Sequence, residues 1–256
     1  MKNKRLVILL SVFAFLVLIV VLCSTVFTVK KVQLQWLTTK VNFSSTDNEV
    51  ASDVKKGDSV FLVDKKEITK KLEDDFPYLK VVSLEIKFPN KLIIHSAERQ
   101  ELFDIKVKDN SHYILDGECK VLRASNDANV KGAIPVTVTN YAFPDGTFSV
   151  SQVADLGYVS GIMNNLYKAL LTNGYENVDM ISNISAVQID VTGYNENLEI
   201  KMGGVTIKVS KITSNLFQKL NMAVATFDTK LSTVERQSGT LNVYEKDGKV
   251  IAEYQV

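Results

Sequence analysis

"FPYLKVVSLEIKFPNKLIIHSAERQ", Phe76 to Gln100, is the stretch that decides the fold. Two Phe-Pro pairs, Phe76-Pro77 and Phe88-Pro89, bracket an alternating run. Val82, Leu84, Ile86 and Phe88 fall on one face of a strand, and Ser83, Glu85 and Lys87 on the other. Pro89-Asn90 is a turn dipeptide. The return strand continues the apolar face with Leu92 and Ile94 and sets Lys91, Ile93 and His95 opposite. A lone hairpin of this kind has nothing to bury its apolar face against.

The residues just upstream supply the cover. "KKEITKKLEDDF" places Ile68, Leu72 and Phe76 on one helical face, Asp64 with Glu67 three residues on starts the helix, and Pro77 stops it. Before it, Thr46 and Glu49 make a capping box for a short helix ended near Gly57, and "SVFLVD" links the two. Earlier still, "VKKVQLQWL" alternates Val32, Leu34 and Trp36 with Lys31, Gln33 and Gln35, a half-buried strand. The order is strand, helix, helix, strand, strand: a three-stranded sheet under two helices that share one buried face.

Further upstream the chain changes character. Leu6 to Phe27 is uncharged and apolar, and as a helix it would span roughly 33 Å, close to a bilayer's hydrocarbon thickness. A cleaved signal would be shorter and end in small residues, and Leu22 before Cys23 is too large for a lipoprotein signal. An uncleaved anchor fits better. Lys2, Lys4 and Arg5 before it, against Lys30 and Lys31 after it, direct residues 1–5 to the cytoplasm and the remainder outside.

The bulk numbers exclude more than they assign. The chain has 256 residues, a net charge of +1, 46% hydrophobic residues and two cysteines, Cys23 and Cys119. That length carries one large domain or two small ones. No basic footprint suggests nucleic acid. The two cysteines, one inside the apolar run, make no disulfide framework.

"VFLVDKKEITKKLEDDFPYLKVVSLEIKFPNKLIIHSAER", Val60 to Arg99, directly downstream of a single apolar helix, resembles the POTRA domain of the FtsQ/DivIB cell-division family, with its caps, turn and terminal Glu-Arg at intact spacing. One departure is a family-like Gly after the first strand, replaced here by "TTKVNFSST". The resemblance implies an α+β protein: a cytoplasmic tail over 1–5, a transmembrane helix over 6–27, a POTRA domain over 28–99 and a mostly β domain with two helices over 100–256. The rest of the chain is compatible. Tyr113 and Leu115 alternate into Asp116-Gly117, "GAIPVTVTN" reads as a strand, and "SQVADLGYVSGIMNNLYKALLTNG" reads as a helix with Val153, Leu156, Val159, Met163, Leu166 and Leu170 in one stripe. Three strand-like runs follow (186–192, 198–202 and 205–209), turned at Gly193-Tyr194-Asn195 and Gly203-Gly204. Then come a helix with Ile212, Leu216, Leu220, Ala223 and Phe227 on one side and a hairpin across Asp247-Gly248.

Catalytic candidates are few. Only His95 and His112 are available as histidines, each read as an ordinary strand residue, and the inventory offers no metal cluster and no G-x-S-x-G elbow. Gly157 and Gly161 stand in a polar, soluble helix. Asp74-Asp75 and Glu98 read as solvated helix-end and strand-end carboxylates, and Lys55-Lys56, Lys65-Lys66 and Lys70-Lys71 as a solvated face, with a role near anionic lipid or wall polymer as the alternative. The expectation is a protein that is not an enzyme and needs no cofactor.

What the resemblance implies instead is strand addition at a sheet edge near the C-terminus. On that reading Thr240, Leu241, Asn242, Val243 and Tyr244 form the partner-binding strand and Lys246 and Lys249 its charged rim. The implied partners are FtsB/DivIC-like and FtsL-like division proteins, with the septal peptidoglycan synthase a further one. The implied place is the cell membrane at the division septum. The competing readings are a membrane-anchored extracytoplasmic enzyme or inhibitor with an accessory POTRA-like unit, and an outer-membrane assembly factor.

Overall fold

The computed structural model of the protein describes all residues except 1, 55, 108–110, 127–129, 145–146 and 193–195, and leaves the side chains of residues 2–6 and 22–24 outside the description. Lys55, the Gly193-Tyr194-Asn195 turn and the side chains of Lys2, Lys4, Arg5, Leu22 and Cys23 therefore lie outside the described residues. The chain divides into two compact units, Met1–Arg99 and Gln100–Val256.

The first unit begins with helix α1 (Lys2–Thr25). Its described side chains, residues 7–21 and Thr25, are all exposed, and apart from Ser11 and Thr25 they are apolar, so these residues form no polar face. Among the described residues no helix is long and apolar enough to cross a membrane.

Strand β1 (Lys31–Trp36), helices α2 (Asp47–Asp53) and α3 (Lys65–Asp75), and strands β2 (Leu79–Lys87) and β3 (Lys91–Glu98) follow. The caps form as their sequences require. The Glu49 N–H donates to Thr46 Oγ1 at 3.2 Å while the Thr46 N–H donates to Glu49 Oε2 at 3.3 Å, and the Lys66 and Glu67 N–H groups donate to Asp64 Oδ1. The sheet order is β1-β3-β2, with β3 parallel to β1 and antiparallel to β2. Val50 and Leu72 of the helices meet Leu34, Leu84, Leu92 and Ile94 of the sheet in one core.

Two residues of the opening stretch depart from simple alternation. The β2–β3 register jumps from Val81↔Ser96 to Ser83↔His95, so Val82 has no opposite residue and is 51% exposed. This bulge takes Val82 out of the apolar face that period-two counting assigns it. Ile93, on the polar face by the same counting, is buried.

The second unit holds β4 (Phe103–Lys106), β5 (His112–Leu115), β6 (Val121–Ser125), β7 (Ile134–Thr139), α4 (Tyr158–Thr172), α5 (Asn177–Asn183), β8 (Ile184–Asp190), β9 (Asn197–Met202), β10 (Val205–Ser210), α6 (Leu216–Thr229), β11 (Thr240–Lys246) and β12 (Lys249–Gln255). Among the described residues these strands form one sheet, ordered β12-β11-β10-β9-β8-β7-β4-β5-β6. Val159, Ile162 and Leu166 of α4 and Leu220, Ala223 and Phe227 of α6 share a core with the inward residues of the strands.

Three details correct the sequence reading here. Helix α4 starts at Tyr158, after Gly157 with φ 54°, so Val153 lies outside it and is exposed. Helix α6 starts at Leu216, after Asn215 with φ 52°, although Ile212 is still buried in the preceding loop. The domain also has a third, short helix, α5, closed by reciprocal Glu176 and Asp179 hydrogen bonds rather than by the serine or threonine cap that sequence patterns flag.

Candidate partner-binding edge

The C-terminal hairpin is built around Asp247-Gly248, both at positive φ (54° and 71°), with Lys246 opposite Lys249. This is a two-residue type I′ hairpin, whose twist suits the flanking strands. In such a hairpin the residues flanking the loop exchange both hydrogen bonds and the pattern alternates from there. The N–H groups of Lys249, Ile251, Glu253 and Gln255 therefore point at β11, and those of Val250, Ala252 and Tyr254 point away from it. Strand β12 ends the sheet, so that second set lies on its outer rim.

This moves the edge by one strand. Strand β11, Thr240 to Lys246, pairs with β12 on one side and, through Thr206↔Thr240 to Val209↔Val243, in parallel with β10 on the other. Leu241 and Val243 are 0% exposed and belong to the core, so neither can line a pocket for a partner. Asn242 and Tyr244 face the other side of the sheet, opposite Glu253 and Ile251 of β12. The Tyr244 pKa is raised, chiefly by the phenol's hydrogen bond to Glu253 and further by burial. Of the sequence-predicted residues only Lys249 lies on the terminal strand. Sequence reasoning overlooked Ile251, Glu253 and Tyr254, although the alternation in "KVIAEYQ" after the Asp-Gly turn was a usable signal.

Side chains brace both ends of this hairpin. The Tyr254 hydroxyl lies 2.8 Å from Ser238 O and 3.0 Å from Glu235 O, tying the edge strand to the short 3-10 turn Glu235–Gln237. Gly239 between them has φ 95°, and a Cβ there would come within 2.6 Å of Gln255 O. No other residue type fits that approach without a shift. At the opposite end, Asn215 Nδ2 donates to Glu245 Oε2 at 3.0 Å. Nearby is Lys219, a wholly buried lysine on the same face of α6 as Leu216 and Ala223. Its amine donates to Lys211 O at 2.7 Å and Ser210 O at 3.2 Å. Burial lowers its pKa, and the Glu245 carboxylate opposes that.

The other candidates resolve as structure. Glu98 is buried, not solvated: its carboxylate accepts the N–H groups of Val41, Asn42 and Phe43, those of Val41 and Phe43 at 2.5 and 2.7 Å. Three backbone donors on one carboxylate hold the loop that stands where the family-like Gly is missing. Arg99 pairs with Glu73 of α3 at 2.8 Å and also donates to Leu79 O. His95 lies 3.3 Å from Glu85 on a partly exposed strand. His112 begins β5 and is buried, with Nδ1 2.8 Å from Asp104 Oδ1. At the end of α3, the Asp75 pKa is raised by its hydrogen bond to Asp53.

The Cys119 thiol is pushed up to about 12, first by burial and then by Asp116, which removes it as a nucleophile. Among the described residues no group of three or more His, Cys, Asp or Glu is arranged to hold a metal ion.

Comparison with known proteins agrees with this architecture. A family model described as the POTRA domain, FtsQ-type, matches residues 41–99. Over 226 residues the chain is 25% identical to the cell division protein DivIB of Clostridium botulinum strain Hall, and 24% identical to that of strain Loch Maree. Each match covers 87% of this chain and 82% of the relative.

Proposed function

From the premise that this chain is a DivIB/FtsQ-like cell-division protein, with an FtsQ-type POTRA domain at residues 41–99, we propose that it acts by association. It anchors in the cell membrane through α1 and captures small single-span division partners by strand addition to the outer rim of β12. In this reading FtsB/DivIC-like and FtsL-like proteins are the partners. The complex scaffolds and regulates septal peptidoglycan synthesis, and the septal synthase is a further contact. The chain sits at the division septum with residues 1–5 in the cytoplasm and the two domains outside.

One observation carries the partner-binding part: among the described residues β12 terminates a large sheet, and no strand pairs with its outer row of N–H and C=O groups. An extended segment can add there without any rearrangement of the domain. The apolar run of α1, with Lys2, Lys4 and Arg5 at its N-terminal end, supports the anchor and its orientation.

The test is copurification of the full chain with candidate division partners, comparing wild type with Ala252→Pro. Proline at this position removes an outward N–H and leaves the β11–β12 ladder intact. Capture should be lost while the unfolding midpoint stays near wild type. Undiminished capture by the folded variant rejects strand addition at β12.

A further inference from the structure

Where the chain leaves α1, two features meet at one end of the first unit. One is apolar. The Val60 N–H donates to Phe27 O at 2.8 Å, and Thr28 bridges Ser59. These bonds hold the Phe61 loop beside the residue that follows the helix. The rings of Phe27, Phe61 and Phe88 form a triangle with centroids 5.4, 5.7 and 6.3 Å apart. Phe27 is partly buried against the core, but the rest stays in the open: Phe61 is 58% exposed, Phe88 60% and the neighbouring Leu62 82%. Soluble surfaces seldom keep such a cluster without an occupant.

The other feature is cationic. Lys31 of β1 stands opposite Lys91 of β3, and Lys91 opposite Lys87 of β2. Three lysines thus run side by side across the whole sheet at the end next to Phe88. Lys30, adjacent, donates its N–H to Asn90 O. Like charges directly opposite each other on neighbouring strands destabilise a sheet. None of these four lysines makes an ion pair with a described residue; Glu85, two residues from Lys87 on the same face of β2, lies against His95, and Asp58 accepts the Val29 N–H through its carbonyl. An external anionic surface would remove the repulsion.

We propose that this aromatic and lysine tip docks on the anionic lipid headgroups of the membrane in which α1 lies. This rests on the anchor reading of α1 and deepens it. Position selects the occupant. Phe27 is two residues beyond Thr25, so the tip starts within roughly 7 Å of the helix end, the depth of one headgroup layer. Aromatic rings favour that layer, and lysines beside it meet the lipid phosphates. Docking would make the POTRA unit a platform seated on the bilayer instead of a domain swinging on its connection to α1.

The full chain carrying Leu62→Trp, reconstituted in vesicles with lipids brominated near the headgroup, tests this. Trp36 is an internal reference, because β1 carries it about 17 Å from Lys31. The added tryptophan should be quenched in vesicles containing phosphatidylglycerol, while Trp36 emission is unchanged. Neutralising Lys31, Lys87 or Lys91 to Gln should weaken the phosphatidylglycerol-dependent part about fivefold for each lysine. A chain that resists carbonate extraction yet shows no quenching of the added tryptophan overturns tip docking and leaves the anchor standing. Extraction by carbonate overturns the anchor reading and this inference with it. Quenching that is equal in phosphatidylcholine alone and indifferent to the Gln variants overturns the headgroup recognition by lysine.

Discussion

The two hairpins of this protein, β2–β3 and β11–β12, have similar local sequences and opposite fates. Each is an alternating strand, a short turn and an alternating return. In the first, β1 adds in parallel to the return strand, and β3 becomes the centre of its sheet. In the second no described strand adds, and β12 is left as a rim. The return strands also end alike. Glu98 at the end of β3 gathers three backbone N–H groups from the Val41–Phe43 loop, while Tyr254 near the end of β12 reaches two backbone carbonyls of the Glu235–Ser238 turn. Alternation sets which side chains go inward. Whether an edge stays open depends on which strand arrives next, and that strand comes from elsewhere in the chain.

Proline substitution breaks the comparison most strongly. Val243→Pro strikes a strand paired on both sides and a core side chain, and should cost about 3 kcal/mol or more, seen as a large fall in the urea midpoint. Ala252→Pro on the rim should stay within about 1 kcal/mol of wild type in the same titration. Equal losses would mean that β12 is not a free edge.

Removing the two braces comes next. Glu98→Ala removes the charged acceptor of three backbone N–H groups and frees the exposed Val41–Phe43 loop, and should cost about 2 kcal/mol by chemical denaturation. Tyr254→Phe loses a single hydroxyl donor and should cost about 1 kcal/mol, with faster amide exchange confined to residues 235–239.

The smallest effect is a pH response at the second hairpin. Because the folded protein holds the Tyr244 proton more tightly than the unfolded chain does, the Tyr244–Glu253 contribution is complete below the unfolded phenol pKa of about 10 and is lost as pH rises through the raised folded value. Thermal melts above pH 10 should therefore fall less steeply for Tyr244→Phe than for wild type. An unchanged slope would remove that contact from the account.

Much of the first unit was legible because its signals are local. Thr46 with Glu49, Asp64 with Glu67, and the Ile68, Leu72 and Phe76 stripe each act within one or two helical turns. What escaped was decided at a distance. The bulge at Val82 is a mismatch between two strands. The burial of Glu98 depends on a loop more than fifty residues away in sequence. Lys219 is buried with its ammonium on the carbonyls of Ser210 and Lys211, across the turn from β10 to α6. The edge strand lies one strand beyond the sequence-predicted segment for the same kind of reason: "TLNVYEK" and "KVIAEYQ" alternate equally well, and only the parallel pairing of β10 with β11 separates interior from rim.

Most elements of the first unit, the caps of its two short helices, the Asp247-Gly248 turn and the uncharged apolar run of α1 followed from sequence alone, since each arises from interactions among residues a few positions apart. The central place of β3, the order of the nine strands and the exposure of β12 came only with the tertiary structure. Backbone hydrogen bonding between strands carries no side-chain label, so the packing of the whole domain selects which neighbour each strand takes.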